Sequence, residues 1–251
     1  MKDYANIPVE LCTYALKEHI VPQVRLYVYL KTIRDGNIKL HPDIVKRACK
    51  DLGNITPKTF KTHLNWLIAN QWIVVNTKTN VHNIIGYDRL LVLLNFRSAW
   101  GALYEPLDFK NFKAFLVSVV VTNYMKKKRR MDKRGERSKG RSGNKRIPSS
   151  FSYNLPVTYF AQILNISKTS SCKLLQLANN SPWLEIKNTH SKLGLPIDEK
   201  ELIKEYSDLE VNKIIVRDMQ LCLQTPNLIT SYIYLRRKRT LRKKVSEMEK
   251  K

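Results

Sequence analysis

Acidic residues are scarce in this chain: 21 Asp and Glu stand against 45 Lys and Arg over 251 residues, a net charge of +24. Such an imbalance disfavours cationic ligands and favours polyanions, of which DNA, RNA and an anionic membrane surface are the obvious ones. Cysteine is scarce too. Cys12, Cys49, Cys172 and Cys222 include no CxxC pair, and no Cys/His group has the spacing of zinc ligands. Long apolar runs are missing. The longest stretch, Ala114 to Val121, is interrupted by Ser118 and is too short to span a bilayer. The first twenty residues lack the apolar run of a signal peptide, so a cytoplasmic protein with reduced thiols is expected, in a prokaryotic or phage-infected cell.

Signatures of catalysis are absent as well. There is no HExxH, no nucleophile elbow and no His-hydrophobic-His nickase pattern. The stretch from Gly135 to Ser142 approaches a P-loop, with Arg141 where lysine is needed. No apolar strand precedes it and no helix-forming run follows, so no backbone cradle for a phosphate would form. The acids clustered at 198–210 read as an exposed helix face rather than a metal site. The expectation is a binding protein rather than an enzyme, with no cofactor and no metal.

What the chain does have is concentrated positive charge. Residues 126–146 carry twelve Lys/Arg against Asp132 and Glu136, and residues 236–251 carry nine against Glu247 and Glu249. The segment 126–149, dense in like charge and poor in large apolar residues, predicts a disordered loop. Around these runs the apolar residues fall into helix-sized and strand-sized groups. Helices are predicted at 8–19, at 23–34 and from Pro42 to Leu52, where Gly53 stops the chain. Thr56 as N-cap and Pro57 as first helical residue open the next, with Phe60, Leu64 and Leu67 inward. Trp72 to Val75 reads as a strand, residues 76–80 as a polar turn, and 81–87 as the returning strand.

The plan then repeats. At a constant offset of 111, Ile55, Thr56, Leu64, Trp72, Ile73 and Val75 become Ile166, Ser167, Leu175, Trp183, Leu184 and Ile186. Upstream, Leu155 and Pro156 open a helix containing Phe160 and Leu164, and Asn165 to Ser167 make the turn. A repeat at this spacing points to two copies of one supersecondary unit. Phe109 to Met125 is expected to be the first helix of the second copy. Beyond it, 198–206, 210–223 and a last segment opened by Pro226 read as helices.

The order helix, short strand, helix, turn, helix, hairpin over 23–87, returning around FAQILNISKTSSCKLLQLA (160–178), resembles the winged helix-turn-helix family. The resemblance implies a mainly α fold with small β-wings: a first domain over 1–104, a second over 105–200 and a basic helical tail over 201–251. It implies that the third helix of each unit enters a DNA major groove while the wing touches the flanking backbone. Lys58, Thr62 and Asn65, with Thr59 and Lys61 beside them, would then face DNA from the first unit. Thr169, Lys173 and Gln176, with Lys168 and Ser170, would do so from the second. Asn and Gln can pair with adenine and Lys can reach guanine, while the hydroxyls suit phosphates.

Neither helix carries an acid over 56–70 or 167–179. Lys78 in the first wing, and Lys187, His190 and Lys192 in the second, are candidate backbone contacts. Lys126, Lys127, Lys128, Arg129 and Arg130, with Arg236, Arg237, Lys238 and Arg239, would add non-specific phosphate contacts. The two-unit layout resembles plasmid and phage replication initiators. A transcriptional regulator is the alternative, and RNA binding or scaffolding through the basic segments a third. A homodimer, or the replication or transcription machinery, would be the further partner; a membrane would not.

Overall fold

The structure, a computed structural model, describes residues 4–34, 36–97, 100–105, 109–136, 151–188, 190–192, 214–217, 220–224 and 227–237. It is mainly α-helical, with small antiparallel sheets of three strands. In chain order the elements are β1 (Ala5–Pro8), α1 (Val9–Lys17), α2 (Val21–Ile33), β2 (Asn37–Ile38), α3 (Pro42–Asp51), α4 (Pro57–Ala69), β3 (Ile73–Asn76), β4 (Val81–Ile84), α5 (Tyr87–Leu93), β5 (Trp100–Tyr104), α6 (Phe112–Glu136), β6 (Phe151–Asn154), α7 (Val157–Leu164), α8 (Lys168–Asn179), β7 (Leu184–Lys187), β8 (His190–Lys192), β9 (Ile214–Arg217), β10 (Gln220–Gln224), β11 (Leu228–Ser231) and β12 (Leu235–Arg237). They form two compact units, one of residues 1–149 with 232–251, the other of residues 150–231.

In the first unit α2 is the central helix. Pro22 sits in its first turn, where a missing N–H costs nothing, and Val24 and the run from Leu26 to Leu30 are buried. A helix apolar on every side must be covered on every side. α4 crosses it, and the sheet β2-β4-β3 closes the end, with Ile73 opposite Ile84 and Ile38 opposite His82. Tyr27 stands edge-on to both Trp72 and Tyr87, and its hydroxyl donates to the Ile85 carbonyl at 2.7 Å. A second aromatic group joins Tyr104, Phe109, Phe112 and Phe115, where α6 starts and packs on α1. The sheet β1-β5-β12 completes this unit.

The second unit repeats the strand order around α7 and α8. β6 and β7 flank β11, as β2 and β3 flank β4. The returning strand differs. In the first unit four residues, 77–80, separate β3 from β4. In the second, β7 is paired not by β8 but by β11, with Lys187 opposite Leu228 and Leu184 opposite Ser231. β8 pairs β10 instead, Gln224 opposite His190, and β10 pairs β9. The two ladders, 184–187 with 228–231 and 190–192 with 222–224, differ in register by one residue.

Several expectations are corrected. The basic residues 126–136 continue α6 as helix and are not a disordered loop; 137–149 lie outside the described residues. Lys and Arg are good helix formers, and once residues 112–125 are helical each added residue needs propagation, not nucleation. α6 belongs with the first compact unit, and the second begins at 150 rather than 105. Residues 214–217 and 220–224, expected to be helical, are strands, as are 228–231 and 235–237, where a final basic helix was expected. The β-branched runs Ile214-Ile215-Val216 and Ile229-Thr230 fit a pleated surface, and short apolar runs do not distinguish strand from helix by period alone. The helix expected over 198–206 lies outside the described residues.

Thr56 and Ser167 cap their helices in the same way. Each hydroxyl oxygen accepts from the backbone N–H three residues on, Thr59 and Ser170, at 3.1 Å. Replacing either by alanine is expected to cost about 1 kcal/mol. Thermal unfolding should show a fall of about 2–4 °C for each; no change would mean that water caps these helices equally well.

Candidate nucleic-acid interface

The repeat extends to the backbone. Asn54 and Asn165, again 111 apart, both adopt left-handed conformations, with φ of 60° and 53°. Asparagine tolerates this region better than other residues bearing a Cβ. Each turns the chain sharply between two helices. The next residue, Ile55 or Ile166, bonds back to the preceding helix through its N–H, to Cys49 and Ala161 respectively. The cap residue then starts α4 or α8. Both helices are thus launched by the same three-residue device.

On α4 Phe60 and Leu67 are buried and Leu64 half-buried, so Lys58, Lys61, Thr62 and Asn65 are exposed, as the spacing predicts. On α8 Ser171, Leu175 and Ala178 are buried, and Lys168, Thr169, Ser170, Lys173 and Gln176 are exposed. Ser171 is anchored by its hydroxyl, which donates to the Val157 carbonyl of α7 at 3.1 Å. Each outward face therefore combines ammonium, amide and hydroxyl groups with no carboxylate on its own helix.

Three of the hydroxyls are engaged. Thr59 Oγ1 lies 2.9 Å from Thr56 Oγ1, and Ser167 Oγ donates to Ser170 Oγ at 3.0 Å. Thr59 and Ser170 therefore complete the caps. Thr62 Oγ1 donates to the Lys58 carbonyl at 3.0 Å, which leaves the exposed hydroxyl oxygen able to accept.

Lys78 is exposed in the tight turn between β3 and β4. Its N–H and that of Thr79 donate to Asn76 Oδ1, and Asn80 is left-handed, so the turn is fixed by its own asparagines. Lys187 is exposed but ion-paired with Glu185 at 3.0 Å, which weakens it as an anion contact. His190 and Lys192 lie in β8, and their side chains are outside the described residues.

In α6 Lys127 and Arg130 are exposed, while Lys126, Lys128 and Arg129 are half-buried. Arg130 stacks on Trp100, its Cζ 5.1 Å from the ring centroid. Burial, and then the nearby Arg130, push the Lys126 ammonium below its ordinary range. Arg236 and Arg237 are exposed on β12; Lys238 and Arg239 lie outside the described residues. The Trp100 contact was not foreseen in the sequence, because β5 and the basic end of α6 meet only through the fold.

His82 is buried in the same hairpin, and its Nδ1 has no hydrogen-bond partner. Burial pushes its pKa below the ordinary 6.5, and the Asn80 backbone offsets part of this. The unfolded chain thus binds a proton that the folded hairpin rejects. Stability contributed by the neutral imidazole is complete above about pH 6.5 and is lost as pH falls below it. Denaturant titrations between pH 5 and 8 should show this slope in the wild type and a shallower one in His82→Gln. Parallel curves would remove His82 as its source.

Among the described residues no group of His, Cys, Asp and Glu could hold a metal ion, and no helix is long and apolar enough to cross a membrane. No family model, no curated protein and no solved structure matches the chain.

Proposed function

We propose that the chain binds double-stranded DNA sequence-specifically, with α4 and α8 as the two reading helices of tandem winged helix-turn-helix units. The observation that carries this reading is the recurrence of one device. A left-handed Asn, a capping hydroxyl and an acid-free polar helix are followed by a strand whose sheet has the same order, β2-β4-β3 and β6-β11-β7. Helix, strand, two helices and a hairpin follow in that order in the first unit; the second has the strand, the two helices and the same sheet order, with its closing strand β11 drawn from distant chain. The outward residues differ between α4 and α8, so one chain would read two unlike half-sites. The first wing is the short turn at Lys78. The second comprises two ladders, 184–187 with 228–231 and 190–192 with 222–224.

Two roles use such a reader: initiation of replication on a plasmid or phage, which we favour, and control of transcription. Both follow from where the site lies. The test is selection of bound duplexes from a random library at near-physiological salt, with Thr62→Ala/Lys173→Ala alongside. A two-part motif that blurs in the variant supports the reading, and its position near an origin or a promoter assigns the process. Binding without any enriched motif, fading uniformly with salt, would sink it in favour of non-specific binding of DNA or RNA by the basic segments.

A further inference from the structure

The chain that leads into β12 alternates as extended chain does. Ile233 and Leu235 are buried, whereas Tyr232, Tyr234 and Arg236 are exposed, the two tyrosines by 50% and 61%. Successive side chains of extended chain point to opposite sides, so these three share one outward face. β12 is an edge strand of the sheet β1-β5-β12, and its pairing fixes what lies at the end of that face. Leu235 stands opposite Ala102 of β5, and Arg237 opposite Trp100. Arg130 of α6 covers the Trp100 ring at 5.1 Å. Two phenol rings are thus followed by three guanidinium groups, those of Arg236, Arg237 and Arg130, all exposed. Among the described residues no carboxylate pairs with any of the three, and the sequence has no acid between Asp218 and Glu247.

Exposed rings alone would suit an apolar partner. Rings beside three cations suit a polyanion that carries rings of its own. In single-stranded nucleic acid the bases stack on aromatic side chains while cations follow the backbone. Spacing separates a single strand from a duplex. Two residues of extended chain rise about 6.7 Å, roughly twice the ~3.4 Å rise per nucleotide of a duplex strand. Bases stacked within a duplex close their faces to such rings, and bases of an unstacked strand present them. We propose that Tyr232 and Tyr234 form a stacking platform for single-stranded DNA, with Arg236, Arg237 and Arg130 holding its phosphates. The platform is separate from α4 and α8; only the choice of DNA over RNA rests on the DNA-binding reading above. A chain that grips an unpaired strand as well as a duplex site favours local opening of that duplex.

Anisotropy of a labelled thymidine oligonucleotide of about 16 nucleotides tests the platform on the full chain. Tyr232→Ala/Tyr234→Ala should weaken binding about thirtyfold or more. Tyr232→Phe/Tyr234→Phe keeps both rings and should bind as the wild type does. The slope of log K on log salt should be unchanged in the alanine variant, which loses no phosphate contact. In Arg237→Gln it should be shallower by about 0.7. If the alanine variant does not melt cooperatively, Tyr232→Leu/Tyr234→Leu takes its place, with apolar bulk kept and the rings removed.

Equal affinity of wild type and alanine variant for the oligonucleotide, or no affinity in the wild type, overturns the platform. Stronger ring-dependent binding of the matching uridine oligoribonucleotide overturns its assignment to DNA. Duplex selection followed in parallel keeps the two readings apart. Thr62→Ala/Lys173→Ala should blur the duplex motif and leave oligonucleotide binding as it was. Ring-dependent binding of the oligonucleotide by a chain that selects no duplex motif would remove the reading helices and leave the platform standing.

Discussion

Lys58→Glu combined with Lys173→Glu is expected to lower affinity for the selected duplex by about a hundredfold or more, with the melting temperature nearly unchanged. Lys58 lies on α4 and Lys173 on α8, the two helices proposed to read DNA; both are exposed, and among the described residues neither side chain has an ion pair or hydrogen bond to lose. A lysine that reaches a base edge contributes about 1–3 kcal/mol, so two removals alone amount to at least thirtyfold. The carboxylates then add repulsion from the phosphates on faces that carry none now. The fold should tolerate the change. Glu is nearly as good a helix former as Lys, and at position 58 it lies in the first turn, where the helix dipole favours an anion. Anisotropy with a labelled duplex at fixed salt, beside thermal unfolding, separates the two effects. Unchanged affinity would mean that α4 and α8 do not face DNA and that the charge of α6 and the C-terminal residues does the binding.

The parts of this interface legible in the sequence are those set by local chemistry. Thr56 and Ser167 could be recognised as caps because a short hydroxyl before a polar helix start has one dominant use. The outward set on each helix follows from a period of 3.6 once Phe60 and Leu67, or Leu175 and Ala178, are placed inside. The parts not legible depend on distant chain. β7 takes β11 as its partner across forty intervening residues, although β8 is three residues away. Nothing local to Lys187 specifies that choice.

The alternation that identifies 229–235 as extended chain was present: Ile229, Ser231, Ile233 and Leu235 are buried, and Tyr232 and Tyr234 exposed. It was overridden by Pro226, which suits a helix start equally well. The helical state of 126–130 depends on the buried residues before it, which a count of charges ignores.

Trp72→Ala is expected to be the most damaging single substitution to the first unit. Trp72 is 1% exposed and lies edge-on to Tyr27 at 5.3 Å and to Trp66 at 5.4 Å. Its N–H donates to the Leu67 carbonyl, and its own carbonyl accepts from the Ile85 N–H. It therefore joins the end of α4 to the hairpin while filling the space between them. Truncation to alanine leaves a cavity the surrounding rings cannot close, at about 3–5 kcal/mol. The corresponding fall in melting temperature is roughly 10 °C or more. Trp183 holds the same place in the repeat but is only half-buried, so Trp183→Ala should cost markedly less.

The asymmetry has a functional consequence that calorimetry and footprinting can read together. Loss of Trp72 frees α4 from its hairpin, so under the proposed DNA-binding reading the half-site assigned to the first unit should lose protection while the half-site assigned to the second keeps it. Equal loss of both half-sites would mean that the two helices do not read independently, and equal thermal cost for the two tryptophans would mean that the second unit closes around Trp183 more tightly than its exposure indicates.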